Sequence, residues 1–174
     1  MNLLSFFKPI TTFVFDVDGV LTDGNLFLFP GGEMVRRMSI KDGYALQLAV
    51  RQGFKVVIIS GGFSELVKER LLRLGVSEVY MGVTDKKGVL TTYIAANGLE
   101  WSQVMFMGDD IPDLEVMEQP GLIACCPADA APEIKYVCRY ISPLSGGNGC
   151  ARDVIEKTLK LNDKWHHVKE VKSK

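Results

Sequence analysis

Two aspartates, Asp16 and Asp18, directly follow the short apolar run of residues 13–15. Side chains alternate between the faces of a strand, so two carboxylates separated by one residue are predicted to point the same way. Neighbouring carboxylates repel each other, and a site that needs them usually holds a cation or a shared proton. With Mg²⁺ offsetting the charge, one aspartate can attack phosphorus while the other protonates the leaving oxygen and later activates water. The alternative is that Asp-x-Asp-Gly merely forms a turn.

A second acidic group, Asp109, Asp110 and Asp113, follows the apolar run of residues 104–107. Three carboxylates this close together would be costly without a counterion. If the two strands are neighbours, Asp109 can complete the metal site that Asp16 begins. Asp113, one helical turn further on, suits the surroundings of that site or the anchoring of a lysine. Asp109 or Asp110 could instead cap a helix N-terminus, and for Asp110 both interpretations can hold.

Two further segments suit an anion. Ser60, Gly61 and Gly62 follow the apolar run of residues 56–59 and offer a hydroxyl and exposed amides before a helix, which suits phosphate. Serine and glycine also end strands simply to make turns. Lys86 stands at a predicted helix start, where its charge opposes the helix dipole. A nearby transferring phosphate would explain it as an electrostatic clamp, and a solvated surface lysine is the alternative.

Short apolar runs alternate with amphipathic segments along the chain, which predicts a mostly parallel sheet with helices on both faces. The predicted strands cover residues 13–15, 56–59, 79–81, 104–107, 122–126 and 136–141. The predicted helices cover residues 44–52, 64–74, 86–97 and 151–161, and a glycine suited to a left-handed C-cap follows each of the first three. The fold class is therefore α/β, a Rossmann-like three-layer sandwich.

A β-hairpin is predicted at about residues 25–38, inserted after the first strand, with Pro30-Gly31-Gly32 at its turn. Open α/β sheets bind ligands at the carboxyl ends of their strands, so this hairpin should overhang the site.

The composition predicts one domain spanning residues 1–174, with a polar tail at about 162–174. The net charge is −1, from 20 basic and 21 acidic side chains, which gives no reason to expect nucleic acid or a membrane surface as partner. No apolar stretch approaches the roughly 20 residues needed to span a bilayer, and the N-terminus lacks the basic start of a signal peptide. The cysteines have neither metal-binding nor redox spacing and suit a reducing cytoplasm, where the protein is predicted to act.

The motifs gain specificity from their order. Asp-x-Asp-Gly, then Ser, then Lys, then Gly-Asp-Asp-x-x-Asp, each at a strand end, resembles the haloacid dehalogenase superfamily of phosphatases over essentially the whole chain. The small hairpin, with no insertion after Lys86, resembles the capless members. The segments DVDGVLTDG at 16–24, KDGY at 41–44 and GGNGCARD at 146–153 look like the 3-deoxy-D-manno-octulosonate 8-phosphate phosphatases of bacterial lipopolysaccharide synthesis.

The resemblance implies a Mg²⁺-dependent phosphomonoester hydrolase that works through an aspartyl-phosphate. Asp16 would be the nucleophile and a metal ligand. Asp18 would be the acid/base and a ligand through its backbone carbonyl, and Asp109 the third protein ligand. Phosphate would be held by Ser60, Gly61 and Lys86, with Asp110 and Asp113 in the surrounding shell. Substrate contacts would come from Ser39, Ile40, Lys41, Asp42, Gly43 and Arg70.

The resemblance also implies a homotetramer acting on a small sugar phosphate. In such an assembly the hairpins meet around a central axis, and a neighbouring subunit helps to close each site. The glycine-rich segment and the tail would fold over the site.

Two positions depart from the family pattern and leave the exact sugar open. Gly62 stands where arginine is common, and Gln47 stands where another arginine is expected. Both departures remove positive charge that could meet a sugar-acid carboxylate, a charge that Arg36, Arg37 or Arg73 could supply instead. The alternative substrates are a nine-carbon keto sugar acid 9-phosphate or another small sugar phosphate, although phosphatases of the nine-carbon acids commonly have glutamate at the first position.

Two interpretations from another class of protein stay open. A phosphoacceptor domain of the receiver type also combines acidic clusters, a hydroxyl and a lysine on a parallel sheet, but its phosphorylated aspartate ends the third strand and Asp16 ends the first. A non-catalytic relative retained for assembly or regulation is disfavoured because all the carboxylates and Lys86 are present. Turnover of phosphate esters separates an enzyme from both.

Overall fold

The strand that precedes Asp16 lies inside the main sheet. The computed structural model describes residues 4–168 and 171. Strands in these residues, numbered along the chain, are β1 Thr12–Phe15, β2 Phe27–Leu28, β3 Met34–Val35, β4 Lys55–Ile59, β5 Glu78–Tyr80, β6 Val104–Met107, β7 Ile123–Cys126 and β8 Tyr140–Ile141. The main sheet is parallel and has the order β5-β4-β1-β6-β7-β8. Phe15 therefore lies between Ile58 and Met107, and the residues that follow these three strands meet at one edge.

Side chains of the sheet alternate between two apolar cores. In β1, Phe13 and Phe15 are buried on one face and Val14 on the other. The helices, numbered along the chain, are α1 Ile40–Arg51, α2 Glu65–Arg73, α3 Lys86–Ala96, α4 Leu114–Met117, α5 Pro132–Val137 and α6 Cys150–Leu161. Helices α1, α2 and α6 pack on the Phe13 face, whereas α3, α4 and α5 pack on the Val14 face. The predicted three-layer α/β sandwich is confirmed.

The elements differ from the sequence-based prediction mainly in three places, one of which is the short helix α4, which was not predicted. The predicted strand at residues 136–141 is wrong over residues 136–139, because the short helix α5, which Pro132 opens, continues to Val137, and only Tyr140–Ile141 form β8. Proline fits the first turn of a helix, where its missing N–H has no partner to lose. Helix α1 begins four residues earlier than predicted, at Ile40, because the Ser39 hydroxyl accepts a hydrogen bond from the amide of Asp42 at 3.3 Å.

The predicted hairpin is present as the antiparallel pair of β2 and β3. It carries an exposed apolar surface, the hairpin surface, formed by Leu26, Phe27, Leu28, Phe29, Met34 and Val35. Leu28, the most exposed of these side chains, is 74% accessible. An apolar surface of this kind usually marks a contact with another molecule.

The glycine-rich segment 146–149 lies directly against the loop that follows β1. The amide of Gly147 donates to the carbonyl of Val20 at 2.9 Å, and the amide of Gly146 donates to the Asp129 carboxylate at 2.9 Å. The two backbones are so close that a Cβ added to Gly146 would lie 2.0 Å from the carbonyl oxygen of Gly19. The glycine-rich segment therefore packs against the backbone of the loop after β1.

The described part of the predicted tail packs against α1 and α6. The Trp165 ring contacts the Tyr44 ring edge-on at 6.4 Å between centroids, and the Arg152 guanidinium lies 5.3 Å from the Trp165 ring. Residues 169–170 and 172–174 of that tail lie outside the described residues. In the part of the chain that the structure describes, no helix has the length and apolar character needed to cross a bilayer.

Candidate active site

A cavity of about 350 Å³ opens at the carboxyl ends of β1, β4 and β6. The predicted site residues that line it are Asp16, Asp18, Ser60, Gly61, Lys86, Asp109, Asp110 and Asp113. Asp16 and Ser60 directly follow β1 and β4, Asp109 comes two residues after β6, and Lys86 is the first residue of α3. Four separate segments of the chain thus meet at one place, as the topology of an open parallel sheet predicts.

Lys86 is a buried cation held between two carboxylates. Its side chain is 5% exposed, and Nζ donates to Asp16 Oδ2 at 2.7 Å and to Asp113 Oδ1 at 2.6 Å. Burial alone would lower the pKa of Lys86, but the charges of Asp113 and Asp16 outweigh it and raise that pKa above its ordinary value. Lys86 therefore stays charged, and the alternative of a solvated surface lysine is wrong.

The carboxylates of Asp16, Asp109 and Asp113 converge, with one oxygen from each lying within 4.8 Å of the others. Burial, followed by the charge of Asp113, raises the pKa of Asp16 to about 6 and that of Asp109 to about 7. The single charge of Lys86 does not offset three neighbouring carboxylates. A hard divalent cation with oxygen ligands would restore the balance, so these residues fit Mg²⁺.

Backbone geometry fixes the acidic side chains. Asp16 Oδ1 accepts a hydrogen bond from the amide of Val17 at 2.6 Å, and Asp113 Oδ2 accepts one from the amide of Asp109 at 3.1 Å. At Gly19, φ is +83°, and a Cβ there would lie 1.9 Å from Asp109 Oδ2. Only glycine allows the loop after β1 to approach Asp109 this closely.

Asp18 lines the cavity but its carboxylate faces the hairpin. Asp18 Oδ1 accepts from Nε of Arg36 at 2.7 Å, and Oδ2 accepts from Nη2 at 3.2 Å. The alternation that was expected to align Asp18 with Asp16 does not extend this far, because β1 ends at Phe15 and Gly19 turns the backbone. Among the described residues, the three carboxylates that approach one another closely enough to share a cation do not include that of Asp18.

Ser60 contributes a buried hydroxyl to the cavity. Its Oγ has no hydrogen-bond partner among the described residues, although the residue is almost completely buried. A buried polar group left unpaired costs about 1–3 kcal/mol, so this hydroxyl suits a ligand oxygen. Asp110 has the predicted capping role, because its carboxylate accepts from the amide of Ile111 at 2.8 Å.

The structure places the predicted substrate contacts outside this cavity. Asp42 is buried, and its two carboxylate oxygens accept from the amides of Gly149 at 3.1 Å and Arg152 at 2.8 Å. These two hydrogen bonds anchor the first turn of α6, so Asp42 has a structural function within one chain. Ser39 caps α1, as described above.

The other residues predicted to contact the substrate line neighbouring cavities. Ile40 and Arg70 line a second cavity of about 280 Å³ beside the hairpin. Gly43 faces the same arginine, because a Cβ on it would lie 3.2 Å from Arg70 Nη2. Lys41 lines a different hollow, against α6. From the sequence, Arg36 was named only together with Arg37 and Arg73 as a possible source of positive charge. Its place in the predicted hairpin was the one feature of the sequence that could have indicated a position near the site.

Proteins of known identity resemble this chain over nearly its whole length. The 3-deoxy-D-manno-octulosonate 8-phosphate phosphatase KdsC of Escherichia coli K12 is 31% identical over 162 residues, covering 93% of this chain and 86% of that protein. The 3-deoxy-D-manno-octulosonate 8-phosphate phosphatase of Yersinia pestis matches with a TM-score of 0.89 at 30% identity, covering 93% of this chain and 87% of that one. The Moraxella catarrhalis phosphatase of the same name, in complex with magnesium, phosphate and KDO, matches with a TM-score of 0.87 at 32% identity, covering 91% of both chains. No protein-family model matches the chain.

Proposed function

This chain belongs to the 3-deoxy-D-manno-octulosonate 8-phosphate phosphatases of the haloacid dehalogenase superfamily and is a phosphoric monoester hydrolase; we propose that its substrate is 3-deoxy-D-manno-octulosonate 8-phosphate, an intermediate of lipopolysaccharide precursor synthesis. The observation that carries the proposed phosphoryl transfer is the buried Lys86, held between Asp16 and Asp113 in the same cavity as the hydroxyl of Ser60, which has no hydrogen-bond partner among the described residues. The relatives named above support the eight-carbon acid as the sugar. We place the reaction in the cytoplasm, whose reducing conditions suit the four free cysteines.

Asp16 is the proposed nucleophile. Its two oxygens are oriented by the Val17 amide and by Lys86, so the carboxylate is presented to phosphorus in a fixed direction. Attack by Asp16 forms a bond to phosphorus as the bond to the sugar oxygen breaks, which gives an aspartyl-phosphate and the free sugar hydroxyl. Lys86 offsets charge on the phosphoryl oxygens, and the hydroxyl of Ser60 and the amide of Gly61 donate hydrogen bonds to them.

Asp18 is the proposed acid and base. It would give its proton to the leaving sugar oxygen and later take a proton from the water that hydrolyses the aspartyl-phosphate. Its place on the wall of the same cavity as Asp16 supports this assignment. The Arg36 pair holds its carboxylate toward the hairpin.

We propose that Mg²⁺ is the cofactor, held by the carboxylates of Asp16 and Asp109 and by the backbone carbonyl of Asp18. When bound, the ion would offset both the carboxylate repulsion and the charge of the transferring phosphoryl group. The raised pKa values of Asp16 and Asp109 support a cation at this point.

Phosphate release from a panel of sugar phosphates with Mg²⁺ tests the proposed substrate. The panel contains the eight-carbon acid phosphate, nine-carbon keto acid 9-phosphates and neutral sugar phosphates. A strong preference for the eight-carbon acid supports the proposal, and a preference for a nine-carbon acid replaces it. Weak hydrolysis of every ester would retain the chemistry and reject the substrate.

Asp16→Asn tests the nucleophile, and it should abolish turnover because an amide cannot form the aspartyl-phosphate. Asp163→Asn is the matched control, since Asp163 is exposed beyond the end of α6. Activity that survives in Asp16→Asn but not in a mock purification would reject the mechanism.

We propose that the hairpin surface joins four copies of the chain. Its exposed apolar side chains support an interface there, because a surface of this kind is costly in water. Leu28→Lys should then reduce the mass measured by light scattering to that of a smaller species, while Tyr136→Lys, which changes an exposed side chain on α5, should not. A monomeric unmodified protein would reject the proposal.

A further inference from the structure

Arg36, which directly follows β3 of the hairpin, is a buried arginine. Its side chain is 6% exposed, and two of its nitrogens bind the carboxylate of Asp18. The third nitrogen, Nη1, is buried and has no hydrogen-bond partner among the described residues. Leaving a buried guanidinium nitrogen unpaired is unfavourable, so Nη1 suits an acceptor that arrives with a ligand.

The position of Arg36 depends on the absence of a side chain at Gly62. A Cβ on Gly62 would lie 2.7 Å from Asp18 Oδ2 and 3.3 Å from Arg36 Nη2, so any larger residue would displace the pair. The other two arginines that could supply the missing charge lie elsewhere: Arg37 is 59% exposed and Arg73 is 78% exposed, and each pairs with another carboxylate. Of the three, Arg36 is the one whose carboxylate partner, Asp18, lines the cavity of the candidate active site.

Arg36, which binds Asp18, also lines the second cavity, of about 280 Å³. Arg70, from α2, lines it as well, so two guanidinium groups border the same space. Among the described residues, those that line this cavity include no carboxylate, and most of them are apolar. The two guanidinium groups, with no carboxylate among the described lining residues, make the second cavity a candidate place for an anionic group.

We propose that Arg36 binds the carboxylate of the sugar acid and thereby selects an acidic sugar phosphate over a neutral one. The inference rests on the proposed function, because it assumes that the phosphate occupies the catalytic cavity. A substrate with a phosphate at one end and a carboxylate at the other extends past Asp18 into the second cavity. There Nη1 of Arg36 donates to the carboxylate, while Asp18 holds the opposite edge of the planar guanidinium. A lysine has a single nitrogen and cannot serve both partners in this way.

The test compares kcat/KM for 3-deoxy-D-manno-octulosonate 8-phosphate with kcat/KM for arabinose 5-phosphate, which has no carboxylate. In Arg36→Met the ratio of the two should fall by about 10- to 100-fold, mainly through a higher KM for the acid, because one charge-assisted contact is lost. Arg36→Lys should recover part of the ratio because it keeps a cation. Arg37→Met, which removes the adjacent exposed arginine, should leave the ratio unchanged.

The outcomes separate this inference from the proposed function. If the unmodified enzyme prefers the acid and both Arg36 variants keep that preference, the inference is overturned and the proposed function stands. If the unmodified enzyme hydrolyses both esters equally well, the proposed substrate is rejected and the inference is rejected with it. Thermal unfolding checks that each variant folds, and Arg36→Lys decides the matter should Arg36→Met not fold.

Discussion

Gly146→Ala is predicted to disable the site without changing any residue that lines it. The φ of Gly146 lies outside the left-handed region, so alanine can adopt its backbone conformation. The obstacle is steric, because the new Cβ would lie 2.0 Å from the carbonyl oxygen of Gly19, and real Cβ contacts essentially never fall below 3.0 Å. The loop after β1 must therefore move by about 1 Å, and a misplacement of that size costs about 10²-fold in rate. Overpacking should also lower the free energy of unfolding by about 1–3 kcal/mol.

The assay measures kcat/KM and the midpoint of thermal unfolding on the same preparations. For a chain of this length, each kcal/mol lost lowers Tm by roughly 2–4 °C. Gly53→Ala is the matched control, because Gly53 has a φ of +86° with open space around it, after the end of α1. It should lose about 1 kcal/mol of stability through backbone strain alone and keep its activity.

Comparison of the two variants separates displacement from instability. Unmodified kcat/KM in Gly146→Ala would refute the argument that the glycine-rich segment positions the catalytic loop, whatever happens to Tm. Equal losses of activity in Gly146→Ala and Gly53→Ala would refute it too, since stability alone would then explain both.

Three further changes examine other parts of the molecule. Lys86→Met should abolish phosphate release and lower the free energy of unfolding by about 3–5 kcal/mol, measured by urea denaturation, because two buried carboxylates lose their shared cation; retained activity would contradict its assigned function. Asp42→Asn should cost about 1–3 kcal/mol and make α6 more sensitive to limited proteolysis, because one of two backbone amides loses its acceptor; an unchanged digestion pattern would argue against this anchor. Removal of divalent metal with EDTA should stop turnover and added MgCl₂ should restore it, whereas activity that survives dialysis against EDTA would contradict a metal site at Asp16 and Asp109.

The cavity proposed as the active site could largely be located from the sequence. Asp16, Ser60 and Asp109 each follow an apolar strand, and parallel strands bring their carboxyl ends to one edge of the sheet. Lys86 could be identified from a local conflict, because a cation at a helix start opposes the dipole. The structure shows what resolves the conflict, namely the carboxylates of Asp16 and Asp113.

The features that could not be predicted from the sequence depend mainly on contacts between segments that are far apart along the chain. The local sequence around Asp42 indicates only a residue in the first turn of a helix, whereas its partners lie 107 and 110 positions further along the chain. Arg36 could not be ranked above Arg37, because a shift of one residue in a short hairpin turns a side chain to the other face. The apolar run at 136–141 fits a helix as well as a strand, and Pro132 decides for the helix over its first part.

The strand order also determines the sequence in which the parts of the candidate site become available during synthesis. β1 is made first but lies between β4 and β6, and Asp16, Ser60 and Lys86 are all present once α3 has left the ribosome. Asp109 emerges later, and the glycine-rich segment that supports the loop after β1 comes near the end of the chain. Nascent chains fold from the N-terminus as they appear, at about 5–20 residues per second. A ribosome stalled before α6 would therefore hold a chain with most of its sheet formed and its catalytic loop not yet fixed in place.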